Sequence, residues 1–169
     1  LEAMQERSVT AGGEIRKLDS PFFVLATQNP IDQEGTYPLP EAQLDRFFYK
    51  LIVGYPSAEE LSEIIARTTE ENIVTVHKVV DNKTLSDLQL LVKQVPVASH
   101  VKDYAIRLVL ASHPNTSTAL EITNKFLRFG SSPRGAQSLL LGAKVRALTD
   151  ARFNVSFDDI AAVTLPALR

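Results

Sequence analysis

The sequence of 169 residues contains no cysteine, which excludes disulfide bonds and thiolate nucleophiles and fits a reducing compartment. It also has no apolar run near the roughly 20 residues that span a bilayer, so no membrane span is predicted. The first seven residues are charged and favour a helix, unlike a secretory signal. These absences lead us to expect a cytoplasmic location.

Concentrated charge and familiar catalytic motifs are also missing. The formal net charge is −2, and lysine and arginine are dispersed, so no nucleic-acid partner is predicted. The three histidines, His77, His100 and His113, lack the spacing of metal ligands. The sequence contains neither a G-x-S-x-G nucleophile elbow nor a phosphate loop of the form G-x-x-x-x-G-K-[ST].

The first 56 residues have an α/β pattern. Residues 1–7 favour the end of a helix, and a Gly-Gly pair at 12–13 predicts a hairpin within residues 8–20. Two apolar runs, residues 22–27 and 47–53, are typical of strands buried on both faces of a parallel sheet. Two strands cannot bury their faces alone, so we expect the sheet to be completed from outside this chain. Both chain ends are interpreted as cuts in a longer protein.

Residues 57–169 have a helical pattern. Ser57 with Glu60 forms a capping box, and helical spacing predicts further helices beginning near residues 85, 101, 133 and 156. The helix that starts at Ser132-Pro133 is expected to continue to about residue 153. Ser156 with Asp159 favours a helix cap over an acidic metal motif. Residues 115–123 are predicted to be a polar loop.

The predicted fold class is therefore a few-stranded α/β part, residues 1–56, followed by an all-α bundle, residues 57–169, with most residues helical. Four segments then resemble one known family in the same order along the chain. They are residues 1–10, Ala-Thr-Gln-Asn-Pro at 26–30, the run from Glu34 to Phe47 that contains Leu-Pro-Glu-Ala-Gln-Leu-Asp-Arg, and Ser-Pro-Arg-Gly at 132–135. Together they resemble the MoxR family of AAA+ ATPases.

The resemblance implies a fold, a reaction and partners. The chain would comprise the second half of an AAA+ α/β core and its helical lid. The parent protein would bind ATP and Mg²⁺, form a homo-oligomeric ring, commonly a hexamer, and act like a chaperone on an unidentified client protein, with metal insertion as one form of that role. Because the phosphate loop and the acidic magnesium motif are absent from this sequence, the chain alone is expected to be inactive.

The resemblance also assigns roles to four residues. Asn29 matches sensor 1, an amide that orients the attacking water, and Arg46 matches the arginine finger supplied to a neighbouring subunit. Arg134 matches sensor 2, in the first turn of a helix, where it would contact nucleotide together with Asn29. Glu41 would support the arginine or the subunit contact. No residue is assigned to a metal.

Simpler interpretations of the same residues remain open. Asn29 could only begin a turn before a proline, Arg46 could pair with Asp45 or Glu41, and Arg134 could be solvated. The whole chain could instead belong to a magnesium-chelatase-like AAA+ motor or be a non-catalytic helical interaction module. The buried strand predicted at residues 22–27 argues against the helical module, since it requires neighbouring strands.

Overall fold

The computed structural model describes residues 2–28, 39–69 and 75–168. The described ranges begin with a short helix and a hairpin and continue as helices, which confirms the predicted fold class. No helix within these ranges is both long and apolar enough to cross a bilayer. The elements are α1 (Glu2–Glu6), β1 (Ser8–Ala11), β2 (Glu14–Lys17), α2 (Glu41–Leu44), α3 (Ala58–Thr69), α4 (Asn82–Gln94), α5 (Ser99–Ala111), α6 (Glu121–Phe126), α7 (Pro133–Thr149) and α8 (Phe157–Leu168).

The predicted hairpin is confirmed. Strands β1 and β2 pair antiparallel, with Ser8 opposite Lys17. Gly12 and Gly13 form the turn with φ of 62° and 82°, a left-handed conformation that glycine adopts without a steric penalty. The Thr10 hydroxyl donates a hydrogen bond to the Glu2 carboxylate at 2.8 Å, which joins the hairpin to α1.

The two predicted buried strands are wrong for this chain. Residues 22–27 and 47–53 form no β-ladder, and the side chains of Leu25 and Val53 are 86% and 93% exposed. A strand exists only where a neighbouring backbone accepts and donates its hydrogen bonds. The described residues offer no such neighbour, so sequences suited to a buried sheet remain solvated.

The helical core is organised around α7. This helix contacts α4, α5 and α8, and its buried positions recur at helical spacing on the faces that meet them. The apolar core consists of Val95, Val101, Ala105, Val109, Leu139, Ala143, Ala147, Val155 and Ile160. The capping box at Ser57 and Glu60 is confirmed at the start of α3, with the two backbone-to-side-chain hydrogen bonds at 2.8 and 3.2 Å.

Two helix boundaries differ from the sequence prediction. Helix α7 ends at Thr149 rather than near residue 153, because Ala151 adopts a left-handed φ of 55° and the Arg152 amide bonds back to the Ala147 carbonyl at 2.8 Å. The predicted loop at residues 115–123 overlaps a short helix, α6. Thr123 is buried there, and its hydroxyl is satisfied by donating to the Ala111 carbonyl at 2.8 Å.

The start of α8 is fixed by a buried carboxylate. Asp159 is only 1% exposed and accepts two hydrogen bonds from the Arg152 guanidinium, at 2.7 and 2.6 Å. It also accepts from the Ser156 amide at 2.8 Å, while the Ser156 hydroxyl accepts from the Asp159 amide, so the predicted capping role is confirmed. The hydrogen bonds from Arg152 hold the pKa of the Asp159 carboxyl well below its usual range.

We predict that Asp159→Asn lowers the free energy of unfolding by about 2–4 kcal/mol, because it removes the charge of a buried carboxylate that pairs with Arg152 and caps α8. Denaturant titration at pH 7 measures this. Asp150→Asn is the matched control: Asp150 also bonds Arg152, at 3.0 Å, but its side chain is 51% exposed, so the expected loss is below about 1 kcal/mol.

The same measurement repeated against pH tests the electrostatic origin. The folded-state pKa of Asp159 lies below the unfolded value of about 3.9, so its stabilisation is complete above that value and is lost as the pH falls toward the folded pKa. The stability difference between the native sequence and Asp159→Asn should therefore shrink below about pH 4. A difference that is constant down to pH 2.5 would mean that packing, and not charge, stabilises this cap.

Candidate functional site

The segment from Asp45 to Lys50 lies against the helical core. The Lys50 amide donates to the Pro166 carbonyl of α8 at 2.9 Å. The Tyr49 side chain packs on α7 where Gly142 leaves room for its hydroxyl, and this burial raises the pKa of the tyrosine. These contacts place the end of the Leu-Pro-Glu-Ala-Gln-Leu-Asp-Arg motif beside the first turn of α7.

The first turn of α7 is a capped helix start. Ser132 is the N-cap, and its hydroxyl accepts a hydrogen bond from the Arg134 amide at 3.0 Å. Pro133 occupies the first helical position, where its missing N–H costs no hydrogen bond. The backbone therefore fixes the position of Arg134 at the positive end of a helix of 17 residues.

Asp45 joins the two segments. Its carboxylate accepts hydrogen bonds from the Ser132 hydroxyl and from Nη1 of Arg134, the latter at 3.0 Å. The Asp45 and Arg134 side chains are 30% and 53% exposed. From the sequence, Asp45 is predicted only as a partner for Arg46, whereas the structure pairs it with Arg134. The contact spans 89 positions in the sequence, so no local pattern could reveal it.

Arg46 is half-buried, and its Nε atom is buried without a hydrogen-bond partner. Among the described residues no ion pair joins it to Glu41 or Asp45, so the structure gives no support to an intrachain pair with either acid. Glu41 is exposed in the first turn of α2. Most buried side-chain donors have hydrogen-bond partners, so the unpaired Nε makes Arg46 a candidate for a contact with water or with a group outside the described residues.

Arg46 and Arg134 line the same cleft. Its volume is about 190 Å³, and Met4 and Gln5 of α1 form the remaining wall. The cleft lining therefore contains two permanent positive charges and no carboxylate, a composition suited to an anion. Its volume is below the roughly 300 Å³ at which sites for whole small molecules begin, so it fits a phosphate group better than an entire nucleotide.

The fit to ATP and Mg²⁺ is therefore partial. The two guanidiniums suit the phosphates, whereas the described ranges contain no cluster of three potential metal ligands among histidine, aspartate and glutamate. Asn29, the predicted sensor 1, lies outside the described residues. A larger open cleft of about 580 Å³ lies between residues 53–56 and α3, but none of the predicted site residues lines it.

Gln5 and Met4 line the cleft but are not predicted as site residues from the sequence. They belong to the first matched segment, residues 1–10, but neither carries a charge or a motif that marks a site. Their position in the cleft follows from the placement of α1, which no periodicity predicts.

Comparisons with known proteins define the class first. Residues 1–49 match the ATPase family associated with various cellular activities (AAA), and residues 119–169 match the AAA lid domain. A crystal structure of a provisionally assigned ATPase from Cytophaga hutchinsonii superimposes with a TM-score of 0.89 at 38% identity, over 99% of this chain and 51% of that one. The chain therefore has the fold of an AAA ATPase with its lid.

Curated relatives then identify the family. Chaperone MoxR1 of Mycobacterium tuberculosis is 40% identical over 100% of this chain and 45% of its own length. The uncharacterized protein YeaC of Bacillus subtilis is 42% identical over 98% of this chain and 50% of its own. Protein MoxR of Paracoccus denitrificans is 29% identical over 99% and 52%. The chain belongs to the MoxR family of AAA+ ATPases and spans about half the length of these relatives.

We predict that Gly142→Ala destabilises the chain by about 1–3 kcal/mol, although alanine ordinarily stabilises a helix relative to glycine. A methyl group at this position would overlap the Tyr49 hydroxyl and force the ring off α7. Denaturant titration measures the change, and Tyr49→Phe should restore part of the loss because it removes the overlapping oxygen.

Gly54→Ala is the matched control, since no atom lies within 4 Å of the position of its added methyl group. Its expected effect is within about 0.5 kcal/mol. If Gly142→Ala is as neutral as Gly54→Ala, the docking of Tyr49 against α7 is wrong.

Proposed function

We propose that this chain supplies the arginine side of an ATP-hydrolysing site in a ring-forming MoxR-type ATPase. The observation that carries the proposal is the cleft that Arg46 and Arg134 share, together with the unpaired Nε of Arg46. Residues 1–56 would belong to the nucleotide-facing core and residues 57–169 would form the lid. ATP would be the substrate, and Mg²⁺ would neutralise phosphate charge once held by carboxylates from outside the described residues.

In this proposal both arginines of one chain act on the same terminal phosphate. Arg46 and Arg134 line one cleft of about 190 Å³, and this shared lining supports contacts of both guanidiniums to a single phosphate. Arg46 would be the arginine finger, acting in trans on the nucleotide of a neighbouring subunit, so Arg134, the sensor 2 residue, would contact that same nucleotide. Negative charge that builds up on the phosphoryl oxygens in the transition state would strengthen both contacts.

The remaining roles follow the family pattern. Asn29 would hold the attacking water with an amide that does not titrate, and Glu41, exposed beside α2, would support the subunit contact. The chain alone should show no ATP turnover, because its sequence contains no phosphate loop.

The cellular role is proposed at a coarser level. A relative is named Chaperone MoxR1, and we propose an equivalent chaperone-like action here: ATP turnover in a cytoplasmic ring, commonly a hexamer, that assembles or activates a client protein, with metal insertion as one form of it. A magnesium-chelatase-like motor would use the same two arginines. Because residues 22–27 form no strand, the strand predicted there no longer counts against a non-catalytic helical module. The match of residues 1–49 to the AAA family counts against that module instead.

The proposal predicts a pattern of recovery in mixed rings of the full-length protein. Arg46→Ala and Arg134→Ala should each lower turnover by at least about 10²-fold while ATP still binds through the neighbouring phosphate loop. Mixing either variant with subunits that lack the phosphate-loop lysine should restore part of the activity. In such mixed rings some interfaces then combine an intact loop with both arginines. Mixing Arg46→Ala with Arg134→Ala should restore none, because every interface lacks one arginine.

Arg67→Ala, which removes an exposed arginine of α3, is the control and should leave turnover unchanged. Native mass spectrometry verifies that mixed rings assemble. Recovery in the mixture of the two arginine variants would show that Arg134 serves its own subunit. Full turnover by either single variant would exclude that arginine from the ATPase site.

A further inference from the structure

We propose that Asp45 is a positioning residue that holds the Arg134 guanidinium in the cleft beside Arg46. The inference rests on the proposed function, in which both arginines contact phosphate. It starts from the pair of contacts that the Asp45 carboxylate makes across the structure, to the Ser132 hydroxyl and to Nη1 of Arg134.

The geometry leaves Arg134 able to bind a second partner. Asp45 contacts only Nη1, at 3.0 Å, whereas a guanidinium carries five N–H donors. Arg134 lines the cleft while it is paired with Asp45, so the pairing and the cleft position coexist in one conformation. Asp45 therefore does not need to release Arg134 before a phosphate binds.

Charge gives the arrangement its physical reason. Arg46 and Arg134 are like charges in a small cleft, and without a counter-charge each would favour a conformation that points away from the other. Asp45 supplies that counter-charge from the position directly before Arg46 in the sequence, so it is delivered by the same backbone turn. Without the contact to Asp45, the long side chain of Arg134 would lose considerable rotamer freedom when phosphate binds.

The exposure of both side chains indicates that the ion pair between Asp45 and Arg134 contributes little to folding stability. With its two side chains 30% and 53% exposed, the pair resembles surface ion pairs, which contribute little to folding. Its effect should therefore appear in turnover, where the alignment of a cation with the phosphate matters, and hardly in the melting temperature.

The test is a double-mutant cycle in the full-length ATPase. Asp45→Ala should lower kcat by about 10-fold and change the KM for ATP by less than about 3-fold, because the guanidinium is present but misaligned. Asp45→Asn, which keeps one acceptor oxygen and loses the charge, should lie between Asp45→Ala and the native sequence. In an Arg134→Ala background, Asp45→Ala should change kcat by less than about 2-fold, since there is no guanidinium left to position.

Asp150→Ala is the matched control, because it removes an exposed carboxylate that pairs with an arginine at the same distance, 3.0 Å, at the opposite end of α7. It should leave kcat unchanged. The melting temperature and ring assembly are measured for every variant, and Asp45→Asn carries the test if Asp45→Ala does not fold.

Two results would overturn the inference. The first is an equal loss of kcat from Asp45→Ala with and without Arg134, which would indicate a general structural role. The second is full activity of Asp45→Ala where Arg134→Ala is impaired. If Arg134→Ala itself retains full turnover, the proposed function fails, and the role of Asp45 fails with it.

Discussion

The close approach of residues 45–50 to helix α7 is the constraint on which the site depends. A glycine in the middle of α7 admits the ring of Tyr49, and the Lys50 amide bonds to the α8 backbone. Because these contacts fix the segment in space, Asp45 reaches the start of α7, where it bonds Ser132 and Arg134. The cleft lined by Arg46 and Arg134 is thus a consequence of helix packing, even though none of its lining residues belongs to the apolar core.

Charge then determines what this packing can do. The helix start, Arg46 and Arg134 all place positive potential in or beside one small cleft, and Asp45 is the carboxylate that pairs with Arg134 there. A single negative group balances only part of this charge. The excess favours an anion that brings more than one charge, which a terminal phosphate does. The buried carboxylate at the other end of α7, Asp159, is by contrast enclosed by arginine and serine, so it stabilises a helix start and is not available to a ligand.

The sequence predicted the local features well. The hairpin, the capping boxes at Ser57 and Ser156 and the helical part each follow from turn residues, caps and periodicity that act within a few positions. The strands at 22–27 and 47–53 were wrong because a strand requires a partner, and apolarity alone does not supply one. The end of α7 was misplaced because Ala151 adopts a left-handed conformation that its residue type does not favour.

The site itself was predictable only in part. Arg46 and Arg134 were predicted from family motifs, and their roles remain predictions. Their common cleft and the pairing of Asp45 with Arg134 depend on contacts between residues almost 90 positions apart. Nothing in the local pattern distinguishes Asp45 from an ordinary surface acid, or Gln5 from any polar helix residue. Such long-range contacts are set by the packing of whole helices, which a single sequence does not encode in any short window.

The most direct measurement of the central claim is a structure of the assembled full-length protein with Mg²⁺ and a slowly hydrolysed ATP analogue. We expect Arg46 and Arg134 of one subunit both to lie within about 3.5 Å of the terminal phosphate of a single nucleotide, held by the neighbouring subunit. We also expect Asp45 to keep its contact with Arg134 in that state. A structure in which the two arginines contact nucleotides in different subunits, or in which neither contacts phosphate, would contradict the account.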